Sequence, residues 1–569
     1  MARQTVGWHP AIAPAKGRTR GIVTLSVWQV VPDWQAPNDP RTICAVSRRT
    51  EWLVAGFVSL AAVVLTIIPY FVATSMVRGR AVFSGFLINP VDGFSYLAKM
   101  RQGLEGAWLV HLPYAAEPGG GTLLFVYHLV LGHIAGALHL PLLIAYHAAR
   151  ALGAMAMFLA VFAFFEWILP SRRARWTAFL LSAFASGLGW LGLPSGLLGT
   201  DLWIPETIPF LTAYANAHFP VAAACLVAAV IVVAKVESEV RWRVAGALAL
   251  GFILGLIQPF VAVSSTLCLA AWIAWEALRS GGWPALRSAW RTRAPTVGLT
   301  AAYFAGALPW IVYDLVVVRV NPALASWNAQ NRTPSPAPFD YILGYGLVLV
   351  LAVVGTLVHR LYETRTGRLL IAWVAVTAIL LYAPFNLQRR VSLGLFLPLA
   401  ALAAHGLEAI AERWNLFRPA LALTLILSVP SNLFVVFAGL DGVSRLEPSV
   451  VMTEEEADTY DWVRANVPPG SIVLAGPTAG NRLPAFADIR VIYGHPFETP
   501  NSVEERAWVE AQFSWTGSPM DGLDTLRARG VDYVYYGPEE KAIGTPSWLD
   551  QLPILFQEGD VSIRKVTEP

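Results

Sequence analysis

The chain has 569 residues, 56% of them hydrophobic and only 14% charged, with mean hydropathy +0.53. A soluble domain carries about 25% charged residues, so this composition excludes a water-solvated globular protein and puts most of the chain in lipid. The formal charge of +3 hides an asymmetry: from Val451 onward 19 acidic residues stand against 9 basic ones, so a basic membrane body precedes an acidic tail.

Residues 1–50 are polar and rich in Pro and Arg. They lack the apolar core of a signal peptide and are read as a disordered cytoplasmic leader. Cys44, Cys225 and Cys268 are isolated, which argues against a disulfide framework or a zinc site. The 22 tryptophans suit interfacial belts.

A membrane crossing needs about 20 apolar residues. Candidate spans are 53–74, 142–168, 177–195, 219–235, 242–257, 260–278, 296–318, 339–358, 369–385, 391–411 and 418–438. Basic clusters lie at Arg172, Arg173 and Arg175, at Arg241 and Arg243, at Arg279, Arg287, Arg291 and Arg293, at Arg360, Arg365 and Arg368, and at Arg413 and Arg418. Short basic loops stay cytoplasmic. That rule puts 75–141, 196–218, the break at Gln258-Pro259, 320–338, 386–390 and the tail outside. The parity requires one apolar stretch between Ala81 and Pro170 not to cross. The choice falls on 122–138, which carries His128 and His133 and follows Gly119-Gly120-Gly121. The alternative is that it crosses and one basic cluster breaks the rule.

In the tail, 455–467 reads as a helix with Thr453 as N-cap and acids in its first turn. Short β-rich runs follow at 471–474, 490–493 and 531–536, with helices at 502–513 and 522–529. No Gly-rich phosphate loop or nucleotide fingerprint is present. The expected fold is a polytopic α-helical membrane protein of about 11–12 spans. It comprises a body over 51–440, a first outer loop at 75–141 and a small extracytoplasmic α/β domain over 441–569.

Several polar residues fall on the face assigned as outer. Asp92, in Asn89-Pro90-Val91-Asp92-Gly93-Phe94-Ser95-Tyr96, follows the first span. Partial desolvation there is expected to raise its pKa and make it a better base; a solvated acid after Pro90 is the plain alternative. Glu117 lies in the same loop, either as a second carboxylate sharing a divalent ion with Asp92 or as an ordinary loop acid. Asp201, Glu206, Asn216 and His218 flank the start of a later span, where they line a cavity or cap helices. Gln388-Arg389-Arg390 puts two guanidinium groups where the positive-inside rule disfavours them. Their fork matches a phosphate, and snorkelling to headgroups is the alternative. Arg78, Arg80, Lys99 and Arg101 add positive charge that draws an anionic ligand. His495, in Tyr493-Gly494-His495-Pro496-Phe497, reads as a structural turn residue.

On these residues the chain resembles the GT-C superfamily of membrane glycosyltransferases, which includes protein O-mannosyltransferases and the aminoarabinose transferase of lipid A. An acid just after the first span is their catalytic signature, and Asp92 occupies that place. Pro205-Glu206 with Asn216-Ala217-His218-Phe219, Gln388-Arg389-Arg390 with Gly394-Leu395, and the run Tyr493 to Thr499 look like segments of bacterial members. The likeness covers roughly 50–569. Many members carry two adjacent acids in the first loop, whereas Asp92 has no acidic neighbour. That departure weakens a metal-assisted mechanism.

The resemblance implies a polyprenyl-phosphate sugar donor, a lipid, glycan or protein acceptor, and no nucleic acid. It implies transfer with inversion on the extracytoplasmic face of the inner membrane. Asp92 and Glu117 are the expected catalytic carboxylates, with Asp92 as base. Tyr96, Glu206, His218, Gln388, Arg389 and Arg390 are the expected substrate-binding residues. No cofactor is certain from the resemblance, and a divalent cation stays open. A non-catalytic scaffold of the same fold, or a transporter or flippase for lipid-linked sugars, is the alternative.

Overall fold

The computed structural model describes residues 47–235, 240–279 and 282–566, without the side chains of 240 and 282–293. The leader expected over 1–50 lies almost wholly outside the described residues. The chain divides into two units, Met1–Glu51 and Trp52–Pro569. Helical body and acidic tail therefore belong to one compact unit.

Every segment read as a span is helical over most of its length. Six helices among the described residues are long and apolar enough to cross a membrane: α1 (Arg48–Val77), α4 (Leu142–Ile168), Pro259–Leu278, Ala294–Val320, Pro338–Val358 and Phe417–Ser444. A seventh candidate is a bent pair, α5 (Arg172–Phe184) with Gly189–Ser195, angled at 48°. The other expected spans are shorter or carry more charge: His218–Ala234, Val240–Ile257, Arg365–Leu380 and Phe396–Trp414. The bend of the seventh is secured by a residue from further along the chain. Backbone N–H groups of Gly187 and Gly189, freed by the break, donate to the Asp201 carboxylate at 3.0 and 3.2 Å. Asp201 is thus a helix-capping acid, the plain reading of that residue.

Between α1 and α4 lie two short helices, α2 (Pro90–Leu104) and α3 (Val126–Ala137). At 12 residues α3 is about 18 Å long, too short for a hydrocarbon core of about 30 Å. It packs on α2 through glycines. A Cβ on Gly103 would fall 2.2 Å from the Leu129 carbonyl oxygen, and one on Gly132 only 1.9 Å from that of Met100. Backbone cannot yield as a side-chain tip can. Gly132→Ala is therefore expected to force α3 off α2 at a cost of about 1–3 kcal/mol or more. A lowered thermal midpoint in detergent, with Gly136→Ala as a milder control, checks this.

The tail forms a five-stranded mixed sheet. Strand β1 (Val82–Phe83) instead pairs with β2 (Val451–Met452), stitching the segment after α1 to the start of the tail. In the larger sheet the order is β4 (Arg490–Val491), β3 (Ile472–Leu474), β5 (Tyr533–Tyr536), β7 (Val561–Lys565), β6 (Ile554–Glu558). The first three are parallel and correspond to the three expected runs; the last two form an antiparallel hairpin on β5. The hairpin escapes sequence reading because β6 is exposed along most of its length and shows no alternation of burial. The helix Glu454–Asn466 begins with a capping box: Glu456 N–H donates to Thr453 Oγ1, and Thr453 N–H to Glu456 Oε2. A further helix, Pro477–Phe486, has Pro at its start and Pro484 within it. It packs against α2, so that Phe86, Phe94 and Tyr96 share one apolar cluster with Ala485.

Candidate active site at the tip of helix α2

Asn89 caps α2 in the left-handed region, at φ 51°, which Asn tolerates better than most residues. Pro90 follows at the first helical position, where its missing N–H costs nothing. Asp92 therefore sits in the first turn, where the helix dipole favours a carboxylate. Its Oδ1 accepts a hydrogen bond from His495 Nε2 at 3.2 Å. The Asp92 side chain keeps 33% exposure, while that of His495 keeps 2%.

The expectation that desolvation raises the Asp92 pKa is not met. Burial does push it up, but the His495 hydrogen bond and the charges of Arg390 and Lys99 outweigh that and hold it below the usual carboxylate value. Composition of the loop says nothing of these partners, which come from distant parts of the chain. Asp92 is consequently an ionised carboxylate, open on one side.

Around it gather most of the other expected residues. Tyr96 lies one turn further along α2 and stacks on His128 of α3, with ring centroids 4.4 Å apart and planes 4° apart. His218 meets both rings edge-on, at 5.2 Å from each. Burial, then the nearby His218 and Lys99, push the His128 pKa well down, so this ring is neutral. Among the described residues neither of its nitrogens has a hydrogen-bond partner.

Arg390 donates to Glu206 at 2.6 Å and lies over the Phe219 ring. Arg389 stacks on Trp203, 5.0 Å from the centroid. Its buried Nε has no partner among the described residues. Burial lowers its pKa, Arg390 beside it adds repulsion, and Glu206 and Asp92 pull the other way. Of the two arginines, Arg390 is neutralised by its own carboxylate and Arg389 is the one able to receive an anion. Gln388 plays a holding role: its Oε1 accepts from Ser335 N–H and its Nε2 donates to the Ala383 carbonyl.

Other residues are placed differently from the sequence reading. Lys99 is fully buried and paired with Glu498 at 2.7 Å. Arg101 donates to Glu105 and to the Pro484 carbonyl. Neither offers the loose positive charge expected of the first loop. Glu117 is exposed and lines a separate cavity with Arg490, Glu505 and Arg529. Among the described residues no three His, Cys, Asp or Glu side chains come together to hold a metal ion.

His495 and Glu498 are the functional candidates that the sequence reading passed over. Two signals pointed to them: the run Tyr493 to Thr499, already singled out, and the spacing of Asp92, Ser95 and Lys99. Those three share one helical face and all meet that run.

No protein-family model and no curated protein matches the sequence. Solved structures match it in fold. The oligosaccharyltransferase AglB from Archaeoglobus fulgidus, in complex with an inhibitory peptide and a dolichol-phosphate, aligns at TM-score 0.52 and 13% identity, over 86% of this chain and 70% of that one. ArnT from Cupriavidus metallidurans, bound to undecaprenyl phosphate, aligns at TM-score 0.52 and 12% identity, over 91% and 98%. The arabinofuranosyltransferase AftD from Mycobacteria aligns at TM-score 0.51 and 17% identity, over 92% of this chain and 42% of its own. In fold, the chain is similar to these three membrane glycosyltransferases.

Proposed function

We propose that the chain is a membrane glycosyltransferase that moves a sugar from a polyprenyl-phosphate donor to an acceptor hydroxyl. Asp92 takes the hydroxyl proton. The acceptor oxygen forms a bond to the anomeric carbon as the bond from that carbon to the phosphate oxygen breaks, with inversion. The departing lipid phosphate gains negative charge, which Arg389 stabilises, an electrostatic role of the oxyanion-hole kind. Arg390 and Glu206 hold Arg389's neighbourhood in place, and Tyr96, His128 and His218 form a wall of neutral and aromatic groups. The reaction face is extracytoplasmic by the positive-inside argument, in a cell's inner membrane. The acceptor is a hydroxyl on a lipid, a glycan or a protein.

One observation carries this reading: an ionised, partly open carboxylate and an arginine with an unpartnered buried nitrogen stand within electrostatic reach of each other. An apolar groove on the Arg389 side supports a lipid-borne donor. Tyr341, Tyr345, Leu349, Leu395 and Leu399 line it. Tyr341 shares a hydrogen bond with Ser335, whose N–H is held by Gln388 beside Arg389. The solved relatives in fold bind dolichol phosphate or undecaprenyl phosphate, which this arrangement suits.

Purified protein supplied with a panel of polyprenyl-phosphate sugars should transfer sugar to acceptors. Tight donor binding without any transfer would sink the enzyme reading and favour a scaffold or carrier. Arg389→Ala should lower kcat/KM for the donor about 10–100-fold, the worth of a charge-assisted hydrogen bond of about 1.5–3 kcal/mol. Arg389→Lys should recover only part, because an ammonium cannot reproduce the guanidinium fork. Donor titrations of initial rate decide both.

A further inference from the structure

Besides the helix Pro477–Phe486 on α2, the acidic tail meets Asp92 itself through one short loop, 493–499, and that loop is densely hydrogen-bonded. Thr499 Oγ1 accepts from the backbone N–H groups of Gly494 and His495. Thr499 N–H returns a bond to the His495 carbonyl at 3.1 Å. Gln330 Nε2 donates to the carbonyls of Phe497 and Thr499. Glu498 is clasped by α2: Lys99 Nζ donates to both its oxygens, at 2.7 and 2.8 Å, and Ser95 Oγ donates to Oε1 at 2.7 Å.

Within this loop the His495 ring has one orientation and one tautomer. Backbone N–H groups of Phe497 and Glu498 both donate to Nδ1, each at 3.1 Å. Two donors aimed at Nδ1 require it to be the bare nitrogen, so the ring proton sits on Nε2. Nε2 is the atom 3.2 Å from Asp92 Oδ1. The ring is buried and lies against Tyr114, with centroids 5.8 Å apart.

We infer that His495, supplied by the C-terminal domain, is a positioning residue for Asp92: its Nε2–H pins Oδ1 and leaves Oδ2 to receive the acceptor proton. This rests on the transferase reading given above. The domain is then a working part of the site, not a cover over it. A carboxylate attached through a single Cβ–Cγ bond swings freely unless one oxygen is held. Misplacement of a reacting group by about 1 Å can cost about a hundredfold in rate.

The charged and titratable groups facing Asp92 come from every side. Tyr96 and Lys99 lie on its own helix, Arg389 and Arg390 on 388–392, and His218 at the start of 218–234. His495 and Glu498 come from the tail, the latter neutralised by Lys99. Of these, His495 is the one that donates a hydrogen bond to the Asp92 carboxylate.

The test uses the full-length protein in detergent, comparing wild type, His495→Ala and His495→Asn. Carbodiimide labels protonated carboxyls, and peptide mass spectrometry reads Asp92 alone across pH. Removing a donor to the ionised form raises a carboxyl's pKa. In His495→Ala the labelling curve of Asp92 should therefore move to higher pH. kcat for transfer should fall about 10–100-fold with donor KM little changed, and His495→Asn, which keeps an N–H donor, should restore part of both. An Asp92 labelling curve in His495→Ala that superimposes on wild type, with an unchanged melting temperature, overturns the inference. Should His495→Ala unfold, His495→Phe, which fills the same space without a donor, decides: an Asp92 curve that superimposes on wild type overturns the inference equally. The labelling needs no turnover, so absence of transfer in the wild type removes the transferase reading without touching this link.

Discussion

Asp92→Asn lowers the rate of sugar transfer by about 10²–10⁴-fold, the usual worth of a general base. The change is nearly isosteric. The amide oxygen still accepts from His495 Nε2, and α2 keeps its start at Asn89 and Pro90. Donor binding, assigned to Arg389 and the apolar groove, stays close to wild type. The expected pattern is thus a collapse of kcat with a nearly constant KM, the signature of an interaction made in the transition state alone. Single-turnover transfer from a radiolabelled donor reads it directly. The wild-type pH profile carries a second expectation. Asp92 must be ionised to accept a proton, and its folded pKa lies below the usual carboxylate value. Activity should therefore persist as pH falls through the ordinary carboxylate range and be lost only below it. Full activity in Asp92→Asn would move the base elsewhere, with Glu206 next to be tested.

Several features of this molecule are written locally in the sequence, and others are not. Span positions are local: 142–168 coincides with α4 because apolar length alone defines it. The capping box at Thr453 and the helix Ser502–Phe513 are equally local. The break after Phe184 is not, since it depends on Asp201 arriving from beyond the next helix to satisfy the freed N–H groups. Helix Pro477–Phe486 is masked by its own prolines and by Gly480, which read as loop. The candidate site divides the same way. Residue type and loop placement pointed to Asp92, Tyr96, Glu206, His218, Arg389 and Arg390, and the fold gathers them. Their pairing was illegible, because Asp92 with His495 and Lys99 with Glu498 are contacts across about four hundred residues and leave no periodic trace. For the same reason the direction of the Asp92 shift is not legible in the sequence. Burial follows from composition, whereas the hydrogen bond and charges that overcome it follow from topology.

Lys99→Met should release the tail from α2. The Lys99 ammonium is wholly buried and Glu498 keeps only 8% of its side-chain exposure. Removing one partner of such a pair strands the other charge out of water, at a cost of about 3–5 kcal/mol. Ser95 remains as a donor to Glu498 but cannot neutralise it. Glu498 is then stable only if it protonates or if the 493–499 loop lifts away, and either change disturbs His495. Hydrogen exchange at 493–499 should accelerate, and transfer should fall with it, while the sheet core around Val473 and Val534 stays protected. The double variant Lys99→Met with Glu498→Leu removes both charges and should recover most of the lost stability, since replacing a buried pair with apolar groups is often neutral. pH gives an independent check. Burial pushes the Glu498 pKa up, but Lys99, His495 and Ser95 together hold it below the usual value. A depressed folded pKa contributes stability above the unfolded value and loses it as pH falls through the folded one. In wild type the loop should therefore stay protected through the ordinary carboxylate range and open only below it. In Lys99→Met, with its largest stabilising partner gone, opening should begin at higher pH. Equal exchange rates in wild type and Lys99→Met would show that the ion pair is not what seats the loop, leaving Gln330 and the Pro477–Phe486 helix to hold it.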